Sequence, residues 1–476
     1  MSTQKIICGD NIAELKKLPD NYADSIVTDA PYGLGKEPDA ALVLKDWVEK
    51  GYHEIKTKGG FMGKSWDSFV PQPLFWKEVF RVLKPGGHVL CFFGTRTYDW
   101  GVMAIRLAGF EIRDCIQWIY GSGFPKSMDV SKAADKAAGV ERDVIGQNLD
   151  IVNKQAADLR RGSRKIVDSL NAGAPERNNG FKTVTANITA PTSDLAKQWD
   201  GWGTALKPAN EPIVLARKPL IGTVVENILE HGVGGINIDG CRIAIDPVAD
   251  KSQLRTMNRN KKEGEDGWGM NNNASDTPTV VSFKGRFPAN VILDEEAGRV
   301  LDEQTGVLSS GKMKQHISGG DFNVYGKQYP REVETIGDAG GASRFFYCAK
   351  TSQAERNKGL DGFEEKENSH STYGIHTDEG LIHNGRNPEN RTRAQKNNHP
   401  TVKPVSLMRY LVRLITPAKG LCIDPFNGSG TTGIACKLEN VNYIGIDMDE
   451  DYCKISEARI VAWEKEKEDI QIKLDL

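Results

Sequence analysis

No C-x-x-C pair occurs among the eight cysteines of this 476-residue chain, so neither a zinc site nor a disulfide framework is indicated. The thiols stand singly at 8, 91, 115, 241, 348, 422, 436 and 453. Cys91, inside Val89-Leu90-Cys91-Phe92-Phe93, reads as a small core hydrophobe. No apolar run approaches the roughly 20 residues that span a bilayer, and no early run has the make-up of a secretory signal. A soluble chain of a reducing compartment is expected, without membrane contact and without a metal. An excess of positive charge is also missing: 62 Lys and Arg face 64 Asp and Glu, a net charge of −2. That excludes a uniformly basic coat, so any nucleic-acid face must be a local patch. The hydrophobic fraction of 39% is below the globular average and requires extensive polar loops around the core. There is no internal repeat, and the length suits two or three domains.

What is present is an α/β rhythm at both ends of the chain. Lys5 to Cys8 is a short strand, and Gly9-Asp10-Asn11 caps a helix with Ile12, Leu15 and Leu18 on one face. Asp24 to Thr28 is a second strand. Residues 36–65 are polar and read as a loop over its end. Phe75, Val79, Phe80 and Leu83 fall at helical spacing, stopped by Lys84-Pro85-Gly86-Gly87, after which His88 to Phe93 is a strand. A helix over 97–109 and a strand over Glu111–Tyr120 follow. Strands separated by helices of this length form parallel sheet. A loop over 121–126, an alanine-rich helix near 128–138 and a polar stretch over 140–207 break the rhythm. Pro212 to Arg217 reads as a return strand. From 231 to 398 the chain is rich in Gly, Asn and charge, with long loops over 251–278, 308–342 and 364–398. Order resumes with a helix carrying Leu407, Leu411 and Leu414, strands at Leu421–Asp424 and Asn442–Asp447, and a terminal amphipathic helix from 450 to about 466.

Two strand ends carry the chemistry-bearing residues. One is Asp29-Ala30-Pro31-Tyr32-Gly33, an acid and an aromatic ring in a tight turn; the other is Asp424-Pro425-Phe426-Asn427-Gly428-Ser429-Gly430. Acids at the carboxyl ends of strands are where open α/β sheets place ligands. Gly428 and Gly430 let backbone approach a ligand, with the free N–H groups of a following helix beside them. Asp447, 23 residues after Asp424 and at the end of the next strand, can accept hydrogen bonds from ribose hydroxyls. No Gly-Lys-Ser/Thr follows the glycines, which excludes a phosphate-binding P-loop. A nucleoside ligand without essential phosphate contacts is therefore expected.

These residues resemble those of the amino-group DNA methyltransferases. Asp29-Ala30-Pro31-Tyr32 is similar to their D-P-P-Y tetrapeptide, with Ala30 in place of the first proline, and Asp424–Gly430 to their D-P-F-x-G-S-G cofactor motif. His399 to Pro404 resembles their H-P-T-x-K-P segment. The order, catalytic turn first and cofactor motif last, is the family's β arrangement, and Gly121 to Ser127 resembles a segment of phage-type members. The resemblance implies a doubly wound, mostly parallel Rossmann-like sheet with an inserted loop-rich target-recognition region. It implies S-adenosyl-L-methionine as cofactor, adenine N6 of duplex DNA as substrate, and a bacterial or phage-infected cytoplasm. A cognate restriction endonuclease and a homodimer are options that it leaves open.

On that basis the catalytic set is Asp29, Ala30, Pro31 and Tyr32. Asp29 and the Ala30 carbonyl grip the amine, and Tyr32 stacks the flipped-out base. The position-30 departure is mild, because alanine presents the same carbonyl and Pro31 still restricts it. The cofactor set is Asp10, Thr401, Lys403, Asp424, Phe426, Gly428, Ser429, Gly430, Thr431 and Asp447. Asp10 reads equally as a plain helix cap, and His399 as a loop residue rather than a base. Arg160, Arg161, Arg164 and Lys165 form one candidate DNA-binding cluster, and Arg255, Arg259, Lys261 and Lys262 another. Arg386, Arg391, Arg393 and Lys396 form a third. The expected organisation is a catalytic half over 1–120, an inserted segment over 121–207, a return strand within 208–230, target recognition over 231–398 and a cofactor half over 399–476. Asp at 29 favours adenine over cytosine N4. Carbon-5 methylation would need a Pro-Cys turn, which is absent. A non-catalytic DNA-binding scaffold and an RNA or protein methyltransferase are the competing classes.

Overall fold

The computed structural model describes residues 2–55, 67–121, 123, 127–147, 187–243, 285–309, 316–318, 331–333, 339–350, 353–364, 374–377, 380–383, 396–399 and 401–463. The chain divides into two compact units, one of residues 1–122, 209–362 and 399–476 and one of 123–208 and 363–398.

The first unit is built on a nine-stranded sheet. Its strands are β1 (Gln4–Cys8), β2 (Ala23–Asp29), β3 (Leu83–Phe92), β4 (Glu111–Ile119), β5 (Asn210–Arg217), β6 (Val291–Asp294), β7 (Tyr347–Ala349), β8 (Leu421–Asp424) and β9 (Asn442–Asp447). They lie in the order β1-β9-β8-β2-β3-β5-β4-β6-β7. Every pairing is parallel except the two made by β5, which runs antiparallel between β3 and β4. The sheet is thus the expected mostly parallel, Rossmann-like one, and the return strand is its single reversed member. Strands β6 and β7 come from the 231–398 span assigned to target recognition, yet they extend the main sheet beyond β4.

Both faces are covered, as parallel sheets require. The alternation along β2 sends Ile26 into one apolar core and Val27 into the other. Helices α1 (Asn11–Lys16), α2 (Ala40–Glu49), α3 (Pro73–Val82) and α4 (Tyr98–Leu107) supply Leu15, Trp47, Trp76, Val79 and Ile105 to the Ile26 side. The Val27 side is filled from α7 (Val405–Ile415), α8 (Thr431–Leu438) and α9 (Glu450–Ala462), with Leu407, Leu411, Ile434 and Ile460. Two further helices, α5 (Val224–His231) and α6 (Glu295–Thr305), complete the described helices longer than five residues in this unit.

Helix α2 corrects the loop expected over 36–65. Asp39 caps its first turn by accepting from the Ala41 and Leu42 N–H groups, and Val43 and Trp47, four apart, bury one side. The exposed Leu42, Leu44 and Val48 beside them blur that two-residue stripe. Lys84-Pro85-Gly86-Gly87 does not precede β3 but bulges within it, as the register passes from Ala23–Leu83 to Ser25–His88. Gly86 is needed there: its φ is 78°, and a Cβ would sit 2.3 Å from the Asn227 amide.

In the second unit, Asp129 caps the helix Val130–Ala137 within the alanine-rich stretch. Strands Val144–Gln147 and Asn187–Thr189 pair antiparallel. Arg142 pins this unit by pairing with buried Asp135 at 3.0 Å and bonding Ser131 and Thr189.

Candidate active site

Register places the two motif-bearing strand ends side by side. β8 pairs with β2 through Cys422–Ser25 and Ile423–Ile26, so Asp424 and Asp29 leave neighbouring strands at the same edge of the sheet. On the other side of β8, Asp424 pairs with Gly445, and Asp447 ends β9 two residues on. Asp447 in turn pairs with Cys8, two residues before Asp10. The crevice outside the carboxyl ends of β1, β9, β8 and β2 therefore gathers residues some 395 positions apart in sequence.

The turn after β2 is held rigidly. Ala30 is buried, the Thr97 hydroxyl donates to the Tyr32 carbonyl, and Gly33 donates its N–H to Asp67 Oδ1 at 2.9 Å. Gly33 has φ 66°, and a side chain there would press on the Val70 amide at 2.8 Å. These contacts fix the backbone on which Asp29 and Tyr32 stand.

Asp29 faces a buried cluster of three further groups. Lys403 Nζ donates to Asp29 Oδ2 at 2.6 Å and to the Tyr32 hydroxyl at 3.2 Å, and lies 3.3 Å from Glu211 Oε2. The Tyr32 hydroxyl donates to the same Glu211 oxygen at 2.7 Å. Burial raises the Asp29 pKa, against the lowering pull of Lys403. Burial opposes the Lys403 charge, but the Asp29 and Glu211 carboxylates outweigh it and hold that pKa above the ordinary lysine value. The Tyr32 phenol is pushed well up by burial and by both carboxylates, so it remains a neutral donor. Asp29 Oδ1 is buried and makes no hydrogen bond. An unmatched carboxylate oxygen is costly in a protein interior, and this one lines a cleft.

That cleft has about 310 Å³ of empty space. It is bounded by Asp29, Lys403 and Phe426 and by the glycine turn from Asn427 to Thr432, with His399 and Thr401 at its edge. Asp424 is fully engaged with the protein: Oδ1 accepts from Thr28 Oγ1 at 2.6 Å and the Phe426 N–H at 3.1 Å, and Oδ2 from Thr432 Oγ1 at 2.6 Å. Burial raises its pKa to about 6. Phe426 leans on Phe75 at a centroid distance of 5.1 Å. Gly428 and Gly430 adopt φ 51° and 77°. Side chains at these positions would strike His399 Nε2 at 2.7 Å and Ser456 Oγ at 2.2 Å. Packing within the protein already demands glycine there, whatever ligand approaches.

Asp447 Oδ2 accepts the Gly428 N–H at 2.7 Å and Oδ1 the Asp449 N–H at 2.9 Å. Each oxygen keeps a second lone pair, and burial raises the pKa to about 6. Beneath the turn, fully buried Arg459 from α9 donates through Nη1 to the Ser429 carbonyl, to Ser429 Oγ at 2.9 Å and to Thr431 Oγ1 at 3.2 Å.

The expected residues separate accordingly. Asp29, Lys403, Asp424, Phe426, Gly428, Ser429, Thr431 and Thr401 line one cleft. Lys403, expected beside the cofactor, lines that cleft and is also bonded to the catalytic-turn acid. Asp10 caps α1 by accepting the Ala13 N–H at 2.9 Å. Burial holds the His399 pKa down to about 3, and its ring packs edge-on against Tyr452 at 4.7 Å. Arg160, Arg161, Arg164, Lys165, Arg255, Arg259, Lys261, Lys262, Arg386, Arg391 and Arg393 lie outside the described residues. Sequence inspection missed Glu211, Thr28, Thr432 and Arg459. Glu211 is the second residue of β5 and directly precedes the Pro212–Arg217 run read as the return strand, and an acid beside a strand start was the available signal.

A family model described as DNA methylase, of the N6/N4 type, matches residues 23–164 and 206–458. Among curated proteins, the type II methyltransferase M2.MboI of Moraxella bovis is 44% identical over 61 residues, 13% of this chain and 22% of that protein. The type II methyltransferase M.HpaI of Haemophilus parainfluenzae is 28% identical over 137 residues, 28% of this chain and 37% of that protein. The chain thus spans well under half the length of these relatives. Among solved structures, the PvuII cytosine-N4-specific DNA methyltransferase aligns over 96% of this chain and 86% of its own. Its identity is 14% and its TM-score 0.39, too low to carry an argument about site or base.

Proposed function

The chain belongs to the N6/N4-type DNA methylase family, and from that membership we propose that it methylates the N6 amino group of adenine in duplex DNA, using S-adenosyl-L-methionine. The observation that carries this reading is the buried, unpartnered Asp29 Oδ1 at the edge of the cleft. An exocyclic amine is a weak nucleophile because its lone pair is delocalised into the ring. Asp29 Oδ1 accepts one amine hydrogen, and the Ala30 carbonyl, which the resemblance makes the second acceptor, takes the other. Gripping both N–H groups draws the nitrogen toward tetrahedral geometry and aims its lone pair into the cleft. The Lys403 charge favours the ionised form of Asp29 against burial, and in that form Oδ1 can only accept. Tyr32 offers its ring face to the base while its hydroxyl is held by Glu211. The base leaves the duplex at a cost of a few kcal/mol, which stacking offsets by about 1–3 kcal/mol.

The cleft fits the cofactor by the chemistry of its lining. Phe426 gives an apolar wall, and Ser429, Thr431 and the α8 N-terminus provide donors; Asp447, outside that lining but bonded to Gly428 of it, is the acid assigned to the ribose hydroxyls. When bound, the cofactor supplies an electrophilic methyl group on a cationic sulfonium. The proton shed by the methylated amine passes to Asp29 or to solvent, so no separate base is required. Phosphate contact is assigned to the basic clusters at 160–165 and 255–262. A bacterial or phage-infected cytoplasm, with or without a companion restriction endonuclease, is the setting this reading implies.

The test is mass spectrometry of nucleosides from duplex DNA incubated with the protein and methyl-labelled cofactor. N6-methyladenine is expected; N4-methylcytosine alone would overturn the choice of base, and no labelled nucleoside would overturn the activity.

A further inference from the structure

We infer that Arg459, on the far side of the glycine turn from the cleft, is a positioning residue that polarises the Ser429 and Thr431 hydroxyls as donors toward the carboxylate of the cofactor's amino-acid end. The inference rests on the cofactor assignment above. Arg459 has no exposed surface, and the Glu355 carboxylate attracts it through space without a direct ion pair to it. Burial lowers its pKa to about 10, so the side chain stays cationic at neutral pH. Its Nη1 reaches the Ser429 carbonyl and both hydroxyl oxygens, Nη2 reaches the Glu355 carbonyl at 3.3 Å, and Nε has no partner. All these acceptors are neutral. A buried charge whose hydrogen bonds all go to neutral oxygens, with Glu355 acting on it only through space, suits a role beyond tying a turn.

The reason lies in hydroxyl bookkeeping. A hydroxyl can accept and donate at once. A guanidinium can only donate, so the Ser429 and Thr431 oxygens are forced to accept on their Arg459 side. Their own hydrogens are left to point elsewhere, and both residues line the cleft. Neighbouring Thr432 differs, since its hydroxyl donates inward to Asp424. Two outward-donating hydroxyls suit an acceptor-only group. A carboxylate is such a group, whereas a ribose or an amine could use hydroxyls of either polarity. The cation below also adds a favourable field for that anion without touching it.

The experiment measures affinity by calorimetry for two ligands that share adenosine and thioether and differ in the amino-acid end. S-adenosylhomocysteine carries the carboxylate and 5′-methylthioadenosine lacks it. For Arg459→Met, S-adenosylhomocysteine affinity is expected to fall roughly ten- to a hundredfold, the loss of one or two charge-assisted hydrogen bonds. Affinity for 5′-methylthioadenosine should change less than about twofold. An equal fall for both ligands, or for neither, would overturn the inference by leaving Arg459 a purely structural tie. Should Arg459→Met fail to fold, the paired change Ser429→Ala with Thr431→Val keeps the arginine and must give the same selective loss; retained carboxylate preference would overturn the inference. Wild-type protein that binds neither ligand would instead overturn the cofactor assignment itself.

Discussion

Asp29 and Asp424 end adjacent parallel strands at one edge of the sheet, and both line one cleft, Asp424 buried and Asp29 partly so. Their hydrogen-bond inventories differ completely. Asp424 accepts two hydroxyls and one backbone N–H, all from the protein. Asp29 spends one oxygen on Lys403 and leaves the other bare. Thus the Asp424 acid staples the strand ends, tying Thr28 of β2 to Thr432 of α8, while the proposed chemistry gives the bare Asp29 oxygen a donor from outside. Motif position alone does not separate these roles; the count of unused lone pairs does.

The sharpest way to break that contrast is Asp29→Ala. We expect methyl transfer to fall by roughly a hundred- to a thousandfold, the scale for losing a positioned electrostatic group. Duplex binding and the thermal melt should stay near wild type, and transfer that survives would remove Asp29 from the chemistry. Tyr32→Ala comes next, with a loss of about five- to a hundredfold in transfer from absent stacking. Tyr32→Phe, which keeps the ring and removes only the Glu211 and Lys403 bonds, should cost less than Tyr32→Ala; equal losses would place the effect in the hydroxyl. Lys403→Met acts through pH. Transfer needs ionised Asp29 and declines as pH falls through its raised pKa. Without the lysine that pKa rises further, so the acid limb of the rate profile moves to higher pH while the alkaline plateau recovers. An unmoved limb would show that Lys403 does not govern Asp29. The smallest effect on chemistry is expected for Asp424→Ala, which leaves the Thr28 and Thr432 hydroxyls without their acceptor. Stability in urea should fall by about 1–3 kcal/mol, with transfer following only as the folded fraction does.

How much of this was legible in the sequence follows from where each partner lies. The two strand ends announce themselves locally, because an acid, a proline or glycine turn and a flanking β-branched run are contiguous. Seven strands of the sheet followed from the strand–helix rhythm; the direction of β5 escaped, since strand direction leaves no mark on composition, and so did β6 and β7, short strands inside the span read as target recognition. Helix α2 escaped because only Val43 and Trp47 face the core, while its other apolar residues, Leu42, Leu44 and Val48, are exposed and blur the pattern. Glu211 and Arg459 escaped for another reason. Glu211 meets Tyr32 across 179 residues, and Arg459 looks like any charged position of a surface helix until its burial is known. The same distance explains Lys403, whose segment pointed to the cofactor while its ammonium reaches Asp29 across 374 residues.

The central claim is that one of two neighbouring acids does chemistry and the other holds structure. Near-isosteric Asp29→Asn and Asp424→Asn, compared for single-turnover methyl transfer at a temperature where both are folded, test it most directly. The account predicts that Asp29→Asn loses transfer by at least about a hundredfold without losing stability, while Asp424→Asn is less stable yet transfers within roughly tenfold of wild type. The opposite pattern, with Asp424→Asn the inactive variant and Asp29→Asn the active one, would contradict it.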